Sequence, residues 1–222
     1  IKMVNENAKK GPVNGAQIIS KLIDGAEKAC LEYMEISGRS SPGYAPESFI
    51  QAGAARALKK VGQTLVVLEE SVADTYSASQ PPTPGRSKSA VSKGRYDIVA
   101  YWKNGKPRAA IEVKSPVNAL VKQKIDKDFN RLVETMNGHS DATFQYGIFL
   151  FLTVKKGVGT DFEKAKVDIN SLVEKIGMEA AALSQAKVKR KLNIFIHAGK
   201  TYPLNFENVQ GAWRVSAIVF KR

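Results

Sequence analysis

The stretch RYDIVAYWKNGKPRAAIEVK, residues 95–114, contains two short apolar runs separated by a turn signal. The runs at 96–102 and 108–114 are rich in β-branched, aromatic and small apolar residues, which favours strands. The Asn104-Gly105 dipeptide between them is typical of a two-residue β-hairpin turn. The sequence therefore predicts an antiparallel hairpin at the centre of the fold.

The register of this hairpin brings charged side chains together. With Asn104-Gly105 as the turn, Asp97 pairs with Glu112, and their Cβ atoms should lie about 4.5–5.5 Å apart on one face. Lys114, two residues beyond Glu112, shares that face. Two carboxylates among apolar neighbours repel each other and are costly to desolvate, which indicates a cation between them. Lys114 supplies part of that charge, and Mg²⁺ fits the geometry better. The alternative is a structural cross-strand salt bridge on a solvated face.

The rest of the chain predicts helices and strands in alternation. Helices are expected at 17–36, 46–60, 119–136 and 161–186, and further strands at 64–68, 146–153, 192–197 and 213–220. Residues 73–94 show no periodicity and predict a long loop, while the polar, glycine-rich residues 1–15 predict a flexible N-terminal arm. We therefore expect one α/β domain at 16–222, with a mixed central sheet flanked by helices on both faces.

The amino-acid composition indicates which class of partner the protein binds and in which cellular compartment it is expected. Among 222 residues, 34 Lys and Arg outnumber 21 Asp and Glu, giving a net charge of +13. Such an excess favours a nucleic acid as partner; the alternative is a basic solubilising surface. Cys30 is the only cysteine, which excludes an intrachain disulfide and fits a reducing cytoplasm. The longest apolar run, 147–152, is far shorter than the roughly 20 residues of a membrane span, so no membrane partner is expected.

The motif formed by Asp97 and by Glu112-Val113-Lys114 resembles that of the PD-(D/E)XK nuclease superfamily, which has a restriction-endonuclease-like fold. Members carry an acidic residue on one strand and Glu-x-Lys on the next. A further glutamate on a helix ahead of the first core strand is also common, and Glu47 occupies that place. The resemblance covers residues 46–152. Tyr96 stands where the superfamily name has Pro, a position that varies among such proteins.

The resemblance implies a Mg²⁺-dependent endodeoxyribonuclease of restriction, defence or repair. Asp97, Glu112 and the Val113 carbonyl would hold the metal, and Lys114 would position the attacking water. Glu47 would aid a second ion, so that one or two Mg²⁺ ions are expected, with Mn²⁺ as a substitute. For Glu47 there is a simpler interpretation, because a carboxylate in the first turn of a helix favours the helix dipole in any protein.

The expected substrate is double-stranded DNA, and a homodimer would supply two sites for two strands. Six basic residues in the predicted loop, at the hairpin and on the following helix are candidates for contact with DNA: Arg86, Lys88, Lys93, Arg95, Lys122 and Lys124. Asp128 and Arg131, on one face of that helix, are interpreted as solvated. Two alternatives stay open, a catalytically inactive nucleic-acid-binding module on the same scaffold and an RNA-directed nuclease.

Overall fold

The structure is a computed structural model that describes residues 14–61, 65–80, 94–117, 122–137, 142–157, 161–187, 192–206 and 209–222. The helices are α1 (Gly15–Ser37), α2 (Glu47–Lys59), α3 (Val72–Ser79), α4 (Lys122–Met136) and α5 (Phe162–Lys187), with a short 3₁₀ helix at Pro42–Tyr44. The strands are β1 (Leu65–Ser71), β2 (Arg95–Tyr101), β3 (Pro107–Lys114), β4 (Tyr146–Gly157), β5 (Asn193–Phe206) and β6 (Val209–Lys221). No helix in these ranges is long and apolar enough to cross a bilayer.

The described strands form one open, mixed sheet of six, in the order β1-β2-β3-β4-β6-β5. Strands β3 and β4 are parallel, and every other neighbouring pair is antiparallel. Alternate side chains of β3 enter different cores. Ile111 packs with Leu22 of α1 and Ile50 of α2, whereas Ala110 packs with Phe129 of α4 and Ile169 of α5. The predicted mixed sheet with helices on both faces is confirmed.

Helices α1 and α2 cross at two glycines that allow their backbones to touch. A Cβ built on Gly25 would lie 2.6 Å from the Cβ of Ala57, and one built on Gly53 would lie 2.5 Å from the Cβ of Ala29. Real Cβ atoms do not approach so closely, so neither position accepts a side chain without a shift of the helices. The two helices therefore form a tightly joined pair.

The predicted two-residue turn between β2 and β3 is wrong, although the predicted register is confirmed. Trp102 and Lys106 close a three-residue loop, in which Gly105 has φ +74°. Tyr101 pairs with Pro107 and Ala100 pairs with Ala109, so β3 contains one more residue than β2 over this stretch. That extra residue is Arg108, which forms a bulge. One added loop residue and one bulged residue compensate, so Ile98 pairs with Ile111 as predicted.

Two further expectations are corrected by the structure. The first part of the predicted loop at 73–94 is helix α3, whose N-terminus is capped by the Ser71 hydroxyl. Its buried residues are Val72, Thr75 and Ser79, a mainly polar set without an apolar stripe, so periodicity did not indicate a helix. Helix α1 begins at Gly15, inside the predicted arm, behind a capping box formed by Asn14 and Gln17. Residues 1–13 and 81–93 lie outside the described residues.

The last two strands, β5 and β6, pair with each other and are together about twice as long as the strands predicted at 192–197 and 213–220. Register shifts within β5 between Ala198 and Thr201, and there the Glu27 carboxylate of α1 accepts hydrogen bonds from the Lys200 amide (2.8 Å) and the Tyr202 hydroxyl (3.1 Å). Pro203 is tolerated because β5 lies at the edge of the sheet. Glu27 therefore fastens α1 to the irregular middle of β5.

Candidate active site

The predicted site residues converge where β3 ends beside the N-terminus of α2. Asp97 comes from β2, Glu112 and Lys114 from β3, and Glu47 from the first turn of α2. The site lies at the end of the interior strand β3, so that groups from both helical layers reach it.

Asp97 stands where β2 separates from β3. The pairing of the two strands ends at Ile98↔Ile111, so the predicted pair of Asp97 with Glu112 is not part of the ladder. One residue further, the Asp97 Oδ2 accepts a hydrogen bond from the Val113 amide at 2.6 Å. The main-chain carbonyl of Asp97 turns the other way and accepts from the Gln51 side chain of α2. The Asp97 carboxylate thus replaces a main-chain acceptor and is held directly beside the Glu112-Val113-Lys114 segment.

Lys114 and Glu47 are in contact. The Lys114 Nζ lies 3.4 Å from Glu47 Oε1 and 3.7 Å from Asp128 Oδ2, while the Ser115 amide donates to Glu47 Oε2 at 3.1 Å. Glu47 occupies the first turn of α2, as the helix-dipole interpretation expects, and it also contacts Lys114, while its help for a second ion stays a prediction. The Lys114 side chain is one-third exposed, so it can be reached from solvent.

Glu112 forms a buried ion pair with Arg131 of α4. The Arg131 Nη1 lies 2.5 Å from Glu112 Oε1, and the two side chains are only 8% and 3% exposed. Arg131 also donates to the Arg95 carbonyl at 2.9 Å and lies 3.9 Å from Asp128. The expectation that Asp128 and Arg131 lie on a solvated helix face is wrong, because that face of α4 packs against the site.

Negative charge exceeds positive charge at this site, and the carboxyl groups respond to it. Burial raises the pKa of Asp97 to about 6, against the hydrogen bond from Val113, and nearby carboxylates add to the rise. Burial also raises the pKa of Glu112, with Asp97 and Asp128 adding to the effect and Arg131 opposing it. Burial lowers the pKa of Lys114, but Glu47 and Asp128 outweigh that effect and the net shift is upward. An added cation would be stabilised here.

The carboxylate oxygens of Asp97 and Glu112 are ligands of the kind that a hard divalent cation prefers. Within the described ranges, no three His, Cys, Asp or Glu side chains are grouped closely enough to form a metal-binding cluster. Mg²⁺, however, is commonly held by one or two carboxylates, with water and substrate phosphate completing its coordination. Arg131 engages one oxygen of Glu112, and a carboxylate has a second oxygen to offer. Asp97 and Glu112 therefore suit such an ion.

The candidate residues for DNA contact are only partly described. The Arg95 side chain is exposed at the start of β2, next to the site. Lys122 and Lys124 lie in α4, but their side chains are outside the described part of the structure. Arg86, Lys88 and Lys93 fall within 81–93, which is also outside it. Contact between these residues and DNA stays a prediction.

Sequence reasoning missed several residues that shape the site. Gln51, one helical turn after Glu47, bridges the Asp97 carbonyl and Glu69 Oε1. Glu69 has φ +54°, an unusual conformation for a residue other than glycine, and nothing in the sequence indicates it. For Asp128 and Arg131 a signal existed, since their i, i+3 spacing places them on one face of α4. The sequence did not show which way that face points.

Known proteins give no further guidance about this site. Comparison with family models, with curated proteins and with solved structures finds no match. The functional interpretation therefore rests on the residues and geometry described above.

Proposed function

We propose that this chain is a metal-dependent nuclease with a restriction-endonuclease-like core that hydrolyses DNA phosphodiester bonds. The order α2-β1-β2-β3-α4-β4 is similar to that core, with α3 inserted after β1. The net charge of +13 suits a polyanionic substrate. Mg²⁺ is the proposed cofactor, and Mn²⁺ should replace it.

The observation that carries the proposal is the convergence of Asp97, Glu112 and Lys114 with Glu47. Four charged side chains from three elements meet near the end of the interior strand β3, and the Asp97 carboxylate is fixed by the Val113 amide. A purely structural salt bridge would not require the half-buried carboxyl group of Asp97 and the buried one of Glu112, whose charge is costly to desolvate. Such an arrangement is typical of sites that bind a cation and polarise a phosphate.

In the proposed mechanism each side chain has a defined task. Asp97 and Glu112 would hold the metal, with the Val113 carbonyl as a further ligand. A divalent ion held there would supply a bound water of lowered pKa and would offset charge on the phosphate. Lys114 orients the attacking water, and its ammonium stabilises the negative charge that develops. Glu47 holds Lys114 in place, and it is the residue available to a second ion.

The direct test is incubation of the purified protein with supercoiled plasmid and, separately, with RNA. We expect plasmid cleavage in Mg²⁺ or Mn²⁺ and none in EDTA. Asp97→Asn should abolish cleavage because it removes the negative charge, although the asparagine carbonyl can still accept from the Val113 amide. Asp168→Asn on the exposed face of α5 removes the same charge at a distant position and should leave cleavage unchanged.

The possible outcomes separate the alternatives. DNA binding without cleavage in either metal would contradict the nuclease proposal and favour the inactive binding module. Cleavage of RNA but not of plasmid would assign the site to RNA. Undiminished cleavage by a well-folded Asp97→Asn protein would remove Asp97 from the site.

A further inference from the structure

Two exposed cations converge on one tyrosine ring beside the site. The Arg39 Cζ lies 4.7 Å from the centroid of the Tyr44 ring, and the Lys156 Nζ lies 5.0 Å from it. Lys156 also donates to the Tyr44 hydroxyl at 3.3 Å. Tyr44 itself is 51% exposed. We call Arg39, Tyr44 and Lys156 the cationic clamp.

In the part of the chain that the structure describes, no salt bridge offsets the charge of the cationic clamp, since neither Arg39 nor Lys156 forms one there. The ring face attracts both cations, yet like charges gathered at one ring repel each other. An anion placed between them would relieve that repulsion, and its oxygens could accept hydrogen bonds from both side chains.

The clamp and the candidate active site lie toward the carboxyl-terminal ends of the parallel interior strands β3 and β4. Tyr44 ends the 3₁₀ helix three residues before Glu47, the carboxylate that contacts Lys114. Phe151 of β4 pairs with Lys114, and Lys156 lies five residues further along the same strand, a distance of roughly 16 Å. That separation corresponds to about five steps along one strand of duplex DNA.

From this placement we infer that Arg39 and Lys156, positioned by Tyr44, bind the phosphodiester backbone of the substrate a few nucleotides from the bond that is cut. The inference rests on the proposed nuclease function and adds to it a contact that fixes the substrate in register. Backbone contacts of this kind orient a protein on nucleic acid without reading its sequence. The clamp is therefore a substrate-binding site and has no part in the chemical step.

The test measures how binding depends on salt, with Ca²⁺ in place of Mg²⁺ to prevent turnover. Fluorescence anisotropy with a short labelled DNA duplex gives the slope of log affinity against log salt. Arg39→Gln and Lys156→Gln should each lower the magnitude of that slope by about 0.9, one phosphate contact each. Tyr44→Leu should weaken binding at every salt concentration, and Tyr44→Phe, which keeps the ring, should recover most of the loss.

Two matched variants control for the general loss of charge. Lys59 lies at the opposite end of α2 from Glu47, and Lys175 lies on α5 in the other helical layer; both are exposed. Lys59→Gln and Lys175→Gln should leave the slope at its parent value. The inference is overturned if the clamp variants change the slope no more than these two do. Repeating the titration with an RNA duplex shows which backbone the clamp holds.

An assay of plasmid cleavage by the parent protein tests the proposed nuclease function independently of the clamp. Cleavage by the parent together with unchanged slopes for the clamp variants would overturn the clamp and leave the nuclease standing. Reduced slopes for those variants, with no cleavage by the parent, would support the clamp as a nucleic-acid contact and reject the nuclease.

Discussion

At the scale of single residues, Lys114 is the group whose chemical and electrostatic roles can be separated. Its ammonium contacts Glu47 and lies near Asp128, so its position is determined by two carboxylates from different helices. A side chain that only balanced charge would tolerate any cation of similar reach. One that orients a water molecule requires a compact ammonium at a fixed point.

Lys114→Met should therefore reduce the single-turnover rate of cleavage by about two to four orders of magnitude, as when a positioned acid–base group is removed. Binding of DNA in Ca²⁺ should stay nearly unchanged, because the Asp97 and Glu112 carboxylates remain. Lys114→Arg should also be severely impaired, since a planar guanidinium cannot reproduce the ammonium geometry. Cleavage by Lys114→Arg at the parent rate would show that Lys114 supplies only bulk charge.

The buried pair of Arg131 and Glu112 makes a prediction about stability. Arg131→Met would leave the Glu112 carboxylate buried without its partner, and such a loss costs about 3–5 kcal/mol. Urea unfolding should show this fall, and adding Glu112→Gln in the same chain should recover part of it because no buried charge is left. The exposed pair of Arg56 and Glu32, 4.0 Å apart, is the control, and Arg56→Met should change stability by less than about 1 kcal/mol.

At the scale of elements, Glu27 links α1 to the irregular middle of β5. Burial raises the pKa of Glu27, and hydrogen bonds from Lys200 and Tyr202 oppose that rise. A raised pKa in the folded state means that protonated Glu27 favours folding. The stabilisation is complete below the unfolded pKa of about 4.3 and is lost as pH rises through the higher folded value.

Glu27→Gln is neutral at every pH and should escape this loss. As pH rises from about 4 to about 7, the unfolding free energy of the parent should therefore fall relative to that of the variant. Urea denaturation at a series of pH values measures it. Glu35→Gln, at an exposed position of the same helix, should show no such trend. A difference that stays constant with pH would mean that Glu27 does not resist ionisation in the folded protein.

The comparison of elements also shows what the sequence could predict. The pairing of the central hairpin followed from residue spacing, and it was correct because the bulge at Arg108 cancels the extra loop residue. The convergence of Asp97, Glu112 and Lys114 was therefore within reach. Gln51 and Glu69 were not, since their roles depend on how α2 and β1 pack against Asp97, a tertiary contact without a sequence pattern. Helix α3 was missed because its buried face is mostly polar.

At the scale of the whole molecule, the net charge of +13 predicts binding that depends steeply on salt. Each phosphate contact releases counterions from duplex DNA and contributes a slope of about −0.9. Several contacts together should give a slope of log affinity against log salt of about −4 or steeper. The measurement is a salt titration of the parent protein in Ca²⁺. A flat response would mean that the basic surface serves something other than nucleic acid.

The close crossing of α1 and α2 has a geometric consequence for the proposed nuclease. Arg39 follows the end of α1, Glu47 begins α2, and the contact at Gly25 and Gly53 prevents the two helices from sliding past each other. In the proposed nuclease, this tightly joined helical pair would keep the phosphate bound by Arg39 at a constant distance from the bond that is cut, whatever the base sequence between them. A bulkier residue at Gly25 or Gly53 would change that distance.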